Sequence, residues 1–147
     1  MKPITAEGSK FKIKNVKFKI MTADKNFEYI ENNLILKKSL DFSIEVINYC
    51  KILRYKFKEY SLADQLLRSA TSIGANANEA VIGSSKKDFI NKMNISLKEA
   101  YETRYWLIIL WKTDYLKQHS FLINQIEEII RILVKIVKTS KENENSK

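Results

Sequence analysis

The sequence predicts an all-α fold, an up-down-up-down antiparallel four-helix bundle that assembles as a homo-oligomer, and three observations predict it. Turn-forming residues are scarce: 147 residues hold three Gly and one Pro, whereas tight turns call for residues that tolerate or preset unusual φ. Apolar residues recur at steps of three and four along four long stretches, the period of a helix with one buried face. Between stretches stand two Ser-x-x-Asp start signals, Ser61/Asp64 and Ser85/Asp88. In each, a hydroxyl can accept from a free first-turn N–H while a carboxylate sits at the positive helix end. The length fits one domain.

Residues 1–26 read as a basic N-terminal extension, 27–140 as the bundle and 141–147 as a disordered tail. The first 20 residues carry six lysines against Glu7. Lys10 to Ile20, KFKIKNVKFKI, alternates Lys with apolar residues like a half-buried strand, but no other strand is predicted to pair with it. The extension is therefore read as flexible, as an upstream segment preceding a true start at Met21, or as an arm that folds on nucleic acid.

The first helix is expected to start between Phe27 and Leu34 and to run to about Phe57. One stripe is Ile35, Phe42, Val46, Tyr49, Leu53 and Phe57; Leu36, Leu40, Ile44 and Ile47 make a second beside it. The second helix is expected to bury Leu62, Leu66, Ala70, Ile73, Ala77 and Ala80, with the alanines and Gly74 small enough to let a neighbour come close, and Gly83 is expected to end it in the left-handed conformation. The third carries Phe89, Met93, Leu97, Ala100, Leu107 and Trp111 inward and becomes apolar all round at YWLIILW. A polar link, Thr113 to His119, precedes a fourth helix capped by Ser120, with Ile123, Ile126, Ile130, Leu133 and Val137 on one line and Leu122, Ile129 and Ile136 beside it. The surplus apolar surface calls for a second copy of the chain, with Tyr101, Tyr105, Trp106 and Trp111 as candidate oligomer contacts.

A tight link at 83–84 would set Glu79 level with Asp88, Asn76 with Asn91, Ser72 with Ile95 and Arg68 with Glu99. Arg68, Ser72, Asn76, Glu79, Asp88, Asn91, Glu99 and Glu102 are thus read as a structural registry network, with a partly buried Arg68–Glu99 ion pair at its centre. Glu99 and Glu102 lie a turn apart on one helix with no facing carboxylate pair, which argues against acid/base chemistry. One histidine, His119, falls in a predicted link, so no Glu-x-x-His metal site can form and the ring is expected to be solvated. No catalytic residue, cofactor or metal is predicted.

Lone Cys50 excludes an intramolecular disulfide and points to a reduced, cytoplasmic setting. The longest uninterrupted apolar run, Tyr105 to Trp111, is seven residues, far short of a membrane span. Net charge is +9, which favours either phosphate backbones or plain solubility. Lys86, Lys87, Lys92, Arg104 and Lys112 are the candidate nucleic-acid contacts of the body. A protein partner docking on the aromatic end near Trp106 and Trp111 is the alternative.

At LLRSATSIGANANEA (Leu66 to Ala80) and SSKKDFINKMNISLKEAYETRYWL (Ser84 to Leu107) the chain resembles the four-helix bundle protein family, also called 23S rRNA intervening sequence proteins. Looser similarity runs from about Leu40 to Lys138. Many members read Asn-x-x-Glu-Gly where this chain has Asn76 to Ala80. The resemblance implies an up-and-down bundle, often a homopentamer with a central channel. It also implies kinship with an accessory protein of diversity-generating retroelements that binds nucleic acid and a reverse transcriptase. It supplies no catalytic residue.

Overall fold

The computed structural model describes residues 27–83 and 85–145, so the sequence reading of the basic extension lies outside the described residues. The chain divides after Leu34 into two compact units. In the first, the described part is a single helical turn, Glu28–Glu31. The second is built on four long helices: α1, Leu34–Lys56; α2, Ser61–Ile82; α3, Lys86–Lys112; and α4, Phe121–Asn145. No strand occurs among the described residues. α4 continues through Asn145, into the stretch read as a tail.

Small residues set the approach between α1 and α2. A Cβ on Gly74 would come within 3.1 Å of Ser39 Oγ, and Cys50 Sγ lies 3.4 Å from Ala63 O. Cys50 is buried, and that burial pushes its thiol up to about 11. Between α2 and α3 the seam is made by hydroxyls: Ser96 Oγ donates to Ile73 O at 2.8 Å. Thr103 Oγ1 donates to Glu99 O at 2.8 Å and lies 3.0 Å from Ser69 Oγ. Each of these groups is inaccessible to water, so each hydroxyl must find a partner. α3 packs along both α2 and α4, and Lys38 Nζ on α1 reaches Glu128 on α4 at 2.9 Å.

The core of α1 is as its first stripe predicts from Ile35 to Leu53, while Phe57 falls beyond the helix end and is exposed. In α3 the buried line is Ile90, Met93, Ser96, Ala100, Thr103, Leu107 and Leu110. Phe89 and Leu97 are only partly covered and Trp111 is 48 % exposed, against expectation. Met93, Ala100 and Leu107 are buried as expected, and the small hydroxyl residues Ser96 and Thr103 complete the line in the close seam with α2.

Helix ends depart from expectation in three places. Gly83 is extended (φ −65°, ψ 156°) rather than left-handed. The space there favours glycine, since a Cβ would sit 2.9 Å from the movable Asp88 Oδ2 and a tight 3.2 Å from two backbone carbonyls. Ser61 lies inside α2, which begins after Tyr60 in helical conformation, and Glu59 Oε1 accepts from Leu62 N at 3.0 Å in its stead. Among the described residues, the left-handed ones are Lys58 (φ 57°) and Asp114 (φ 66°); each reverses the chain just after a helix. Ser120 is likewise helical, following a 3-10 turn at Lys117–His119. Ser85 does cap α3 as read, accepting from Asp88 N at 3.1 Å.

Candidate nucleic-acid interface

The polar residues of the α2–α3 hairpin meet one turn away from the predicted register. Arg68 pairs with Glu102, not Glu99, and Glu79 pairs with Lys92 rather than standing opposite Asp88. The offset follows from side-chain direction: every Cα–Cβ bond leans toward its own helix N-terminus. Arg68 therefore reaches away from the link and its partner leans toward it, so the pair joins a residue further along α3. Ser72 and Asn76 do not cross at all; Ser72 Oγ donates to Arg68 O and Asn76 Nδ2 to Ser72 O, both at 2.8 Å within α2. Asn91 is exposed. Arg68 is itself more than half exposed, and such pairs contribute about 0–1 kcal/mol. Registry comes instead from the buried Ser69, Ser96 and Thr103 hydroxyls, which the sequence reading did not single out.

Glu102 also accepts from Trp106 Nε1 at 3.2 Å, which ties down the indole and leaves Glu99 over. Glu99 Oε2 is buried with no hydrogen-bond partner among the described residues. Burial first, and then the Glu102 carboxylate, raise its carboxyl above the ordinary 4.5, against the pull of Arg68. A carboxyl raised in the fold holds its proton more tightly there than in the unfolded chain. Stability from this group therefore grows as pH falls through the raised value and is fully gained below 4.5. Glu99→Gln should stabilise the protein by about 1 kcal/mol at neutral pH. That advantage over the parent should shrink on acidification toward 4.5. Thermal melts of both proteins across that range check this; parallel Tm profiles would contradict it.

The five basic residues singled out in the sequence do not form one patch. Lys86 and Lys87 are exposed on the first turn of α3, while Lys112 closes the same helix about 40 Å away, its Nζ 4.9 Å from the Trp111 ring centroid. Lys92 is held by Glu79, whose hydrogen bond and charge raise the ammonium above the ordinary lysine range. Arg104 stacks on Tyr101 at 4.9 Å and reaches Glu127 at 3.3 Å.

Basic and aromatic side chains do gather elsewhere, around a cavity of about 560 Å³ between the end of α1 and the α3–α4 link. Lys51, Ile52, Tyr55, Lys56 and Phe57 line one side, and Asp114, Tyr115, Lys117, Gln118 and His119 the other. The two left-handed residues shape it. Lys58 turns the chain back so that Glu59 N bonds Leu53 O at 3.0 Å; beyond Asp114, Tyr115 N bonds Leu110 O at 2.9 Å. Phe57 and Tyr115 meet edge to face at 5.2 Å. His119 is not solvated as predicted: its ring is partly covered, 5.0 Å from Tyr49 and 6.0 Å from Phe121. The sequence signal for this hollow was the run KILRYKFK, Lys51 to Lys58, where cations alternate with aromatics.

A second exposed feature is apolar. Tyr101, Tyr105, Ile108 and Trp111 step along one face of α3, and Leu40, Ile44 and Ile47 along one face of α1. Trp106 is partly covered, its ring 5.4 Å from that of Tyr105. No helix among the described residues is long and apolar enough to cross a membrane.

Comparison with solved structures finds a protein of unknown function from the S23 ribosomal protein family of Bacteroides thetaiotaomicron VPI-5482. It is 44 % identical with a TM-score of 0.70, over 74 % of this chain and 99 % of that one. No curated protein matches the chain. Residues 31–135 match the family of 23S rRNA-intervening sequence proteins. The hydroxyl-lined α2–α3 hairpin and the aromatic end of α3 lie within that span, and the chain belongs to the 23S rRNA-intervening sequence protein family.

Proposed function

We propose that the protein is a non-enzymatic, cytoplasmic homo-oligomer, expected as a pentamer, that binds RNA or DNA through basic surface of the assembly. Each subunit is an up-down-up-down antiparallel bundle. Support for that topology comes from the hairpin pairs, in which α3 partners rise in number as α2 partners fall: Glu79 with Lys92, Arg68 with Glu102.

The observation that carries assembly is the exposed row Tyr101, Tyr105, Ile108 and Trp111. A contiguous aromatic face of this kind is what subunit contacts bury. Support for nucleic acid comes from the family's link to a ribosomal RNA insertion, the net charge of +9 and the clustering of lysines with aromatics at the α1 end. Repetition around a ring turns weak phosphate contacts into a useful total. Filter binding to structured RNA should show affinity that falls at least about ten-fold between about 50 and 200 mM salt, through release of condensed counterions. No binding at the lower salt, or binding indifferent to salt, would remove this reading.

A protein-interaction scaffold is the second reading, favoured by the exposure of Trp111 at the end of α3. Protein partners that stay bound after nuclease treatment would support it.

A further inference from the structure

We infer that the hollow at the end of α1 receives one unpaired nucleotide of a single strand, its base against Tyr55 and Tyr115 and its phosphate against Lys51, Lys56 and Lys117. The inference rests on the nucleic-acid reading and locates where an unstacked base would go. Tyr55 is 77 % exposed although it borders a cavity of about 560 Å³, within the usual range for small-ligand sites. A phenol left so open contributes little to the core, yet it offers a π-face of the kind on which bases stack regardless of their identity.

The charges fit a phosphodiester. Three lysines border the hollow against one carboxylate, Asp114, already 3.2 Å from Lys117. That pair is strongly exposed and so weak enough for Lys117 to turn to another anion. Lys56 lies 5.2 Å from the Phe57 ring, which leaves its charge at the rim. A duplex keeps its bases stacked inside and presents phosphates alone, so the aromatic wall distinguishes single strand from duplex.

The test is fluorescence anisotropy with a labelled, unstructured single-stranded RNA of about 12 nucleotides and with the same sequence as duplex. Tyr55→Ala is expected to weaken single-strand binding about ten-fold while duplex binding changes less than about two-fold. Lys51→Glu should weaken the strand as well, with the melting temperature of both variants unchanged. An equal effect of Tyr55→Ala on both probes, or none on either while the parent binds, would overturn the inference and leave the nucleic-acid reading standing. Displacement of the strand by oligoglutamate as readily as by unlabelled RNA would also overturn it, since the hollow would then read charge alone. Failure of the parent to bind either probe at low salt would overturn the inference, while filter binding to structured RNA separately decides the nucleic-acid reading.

Discussion

Phe42→Ala is expected to cost about 4 kcal/mol of unfolding free energy, enough to lower Tm by about 10 °C in a chain of this size. Phe42 is 1 % exposed in the middle of α1. Truncating it leaves a void in a close-packed core that relaxes only partially. Ile44, two positions on, is 49 % exposed, and Ile44→Ala should cost less than about 1 kcal/mol in the isolated subunit. Denaturant melts of the two variants give the contrast. Equal losses would mean that α1 does not present the face described.

Joint replacement Tyr105→Glu and Ile108→Glu is expected to leave the bundle folded and to convert the assembly to single chains. Both side chains are exposed within the subunit, Tyr105 at 59 %, so neither supports its core. In an assembly they would lie at the centre of a desolvated contact, where losing one aromatic anchor costs about 2 kcal/mol or more and burying an unpaired carboxylate adds to that. Association should weaken by at least about a hundred-fold, on the order of 2.7 kcal/mol. Light scattering coupled to size-exclusion chromatography reads the mass directly. A parent protein that already elutes at 17.2 kDa would defeat the proposal before any substitution is made.

Helix placement was legible because long apolar stripes repeat at one period, and the Ser85 cap was legible because it follows a local rule. Part of the α3 face, Met93, Ala100 and Leu107, is legible in the sequence, and the rest is not for a definable reason. Ser96 and Thr103 are buried but count as polar in any pattern of letters, so the eye moves to Phe89, Leu97 and Trp111. The Arg68 partner was missed by one turn because counting residues across a link ignores the lean of side chains along each helix. Residue type alone suggests a left-handed role for Gly83, whereas the backbone there is extended and what favours glycine is the close approach of two carbonyls. Of the basic-aromatic hollow, only one wall, the run Lys51 to Lys58, is legible in the sequence. Its two walls are separated by more than fifty residues, and each borders a left-handed residue, Lys58 or Asp114.

The single thiol of this chain is also a clock. It lies under α2 and, with a pKa of about 11, remains in its unreactive protonated form at neutral pH. A thiol-directed dye can therefore attach only during moments when the first two helices part. The labelling rate at Cys50 counts those excursions without any engineered probe, and binding anywhere on the molecule that steadies the pair will register as a slower count.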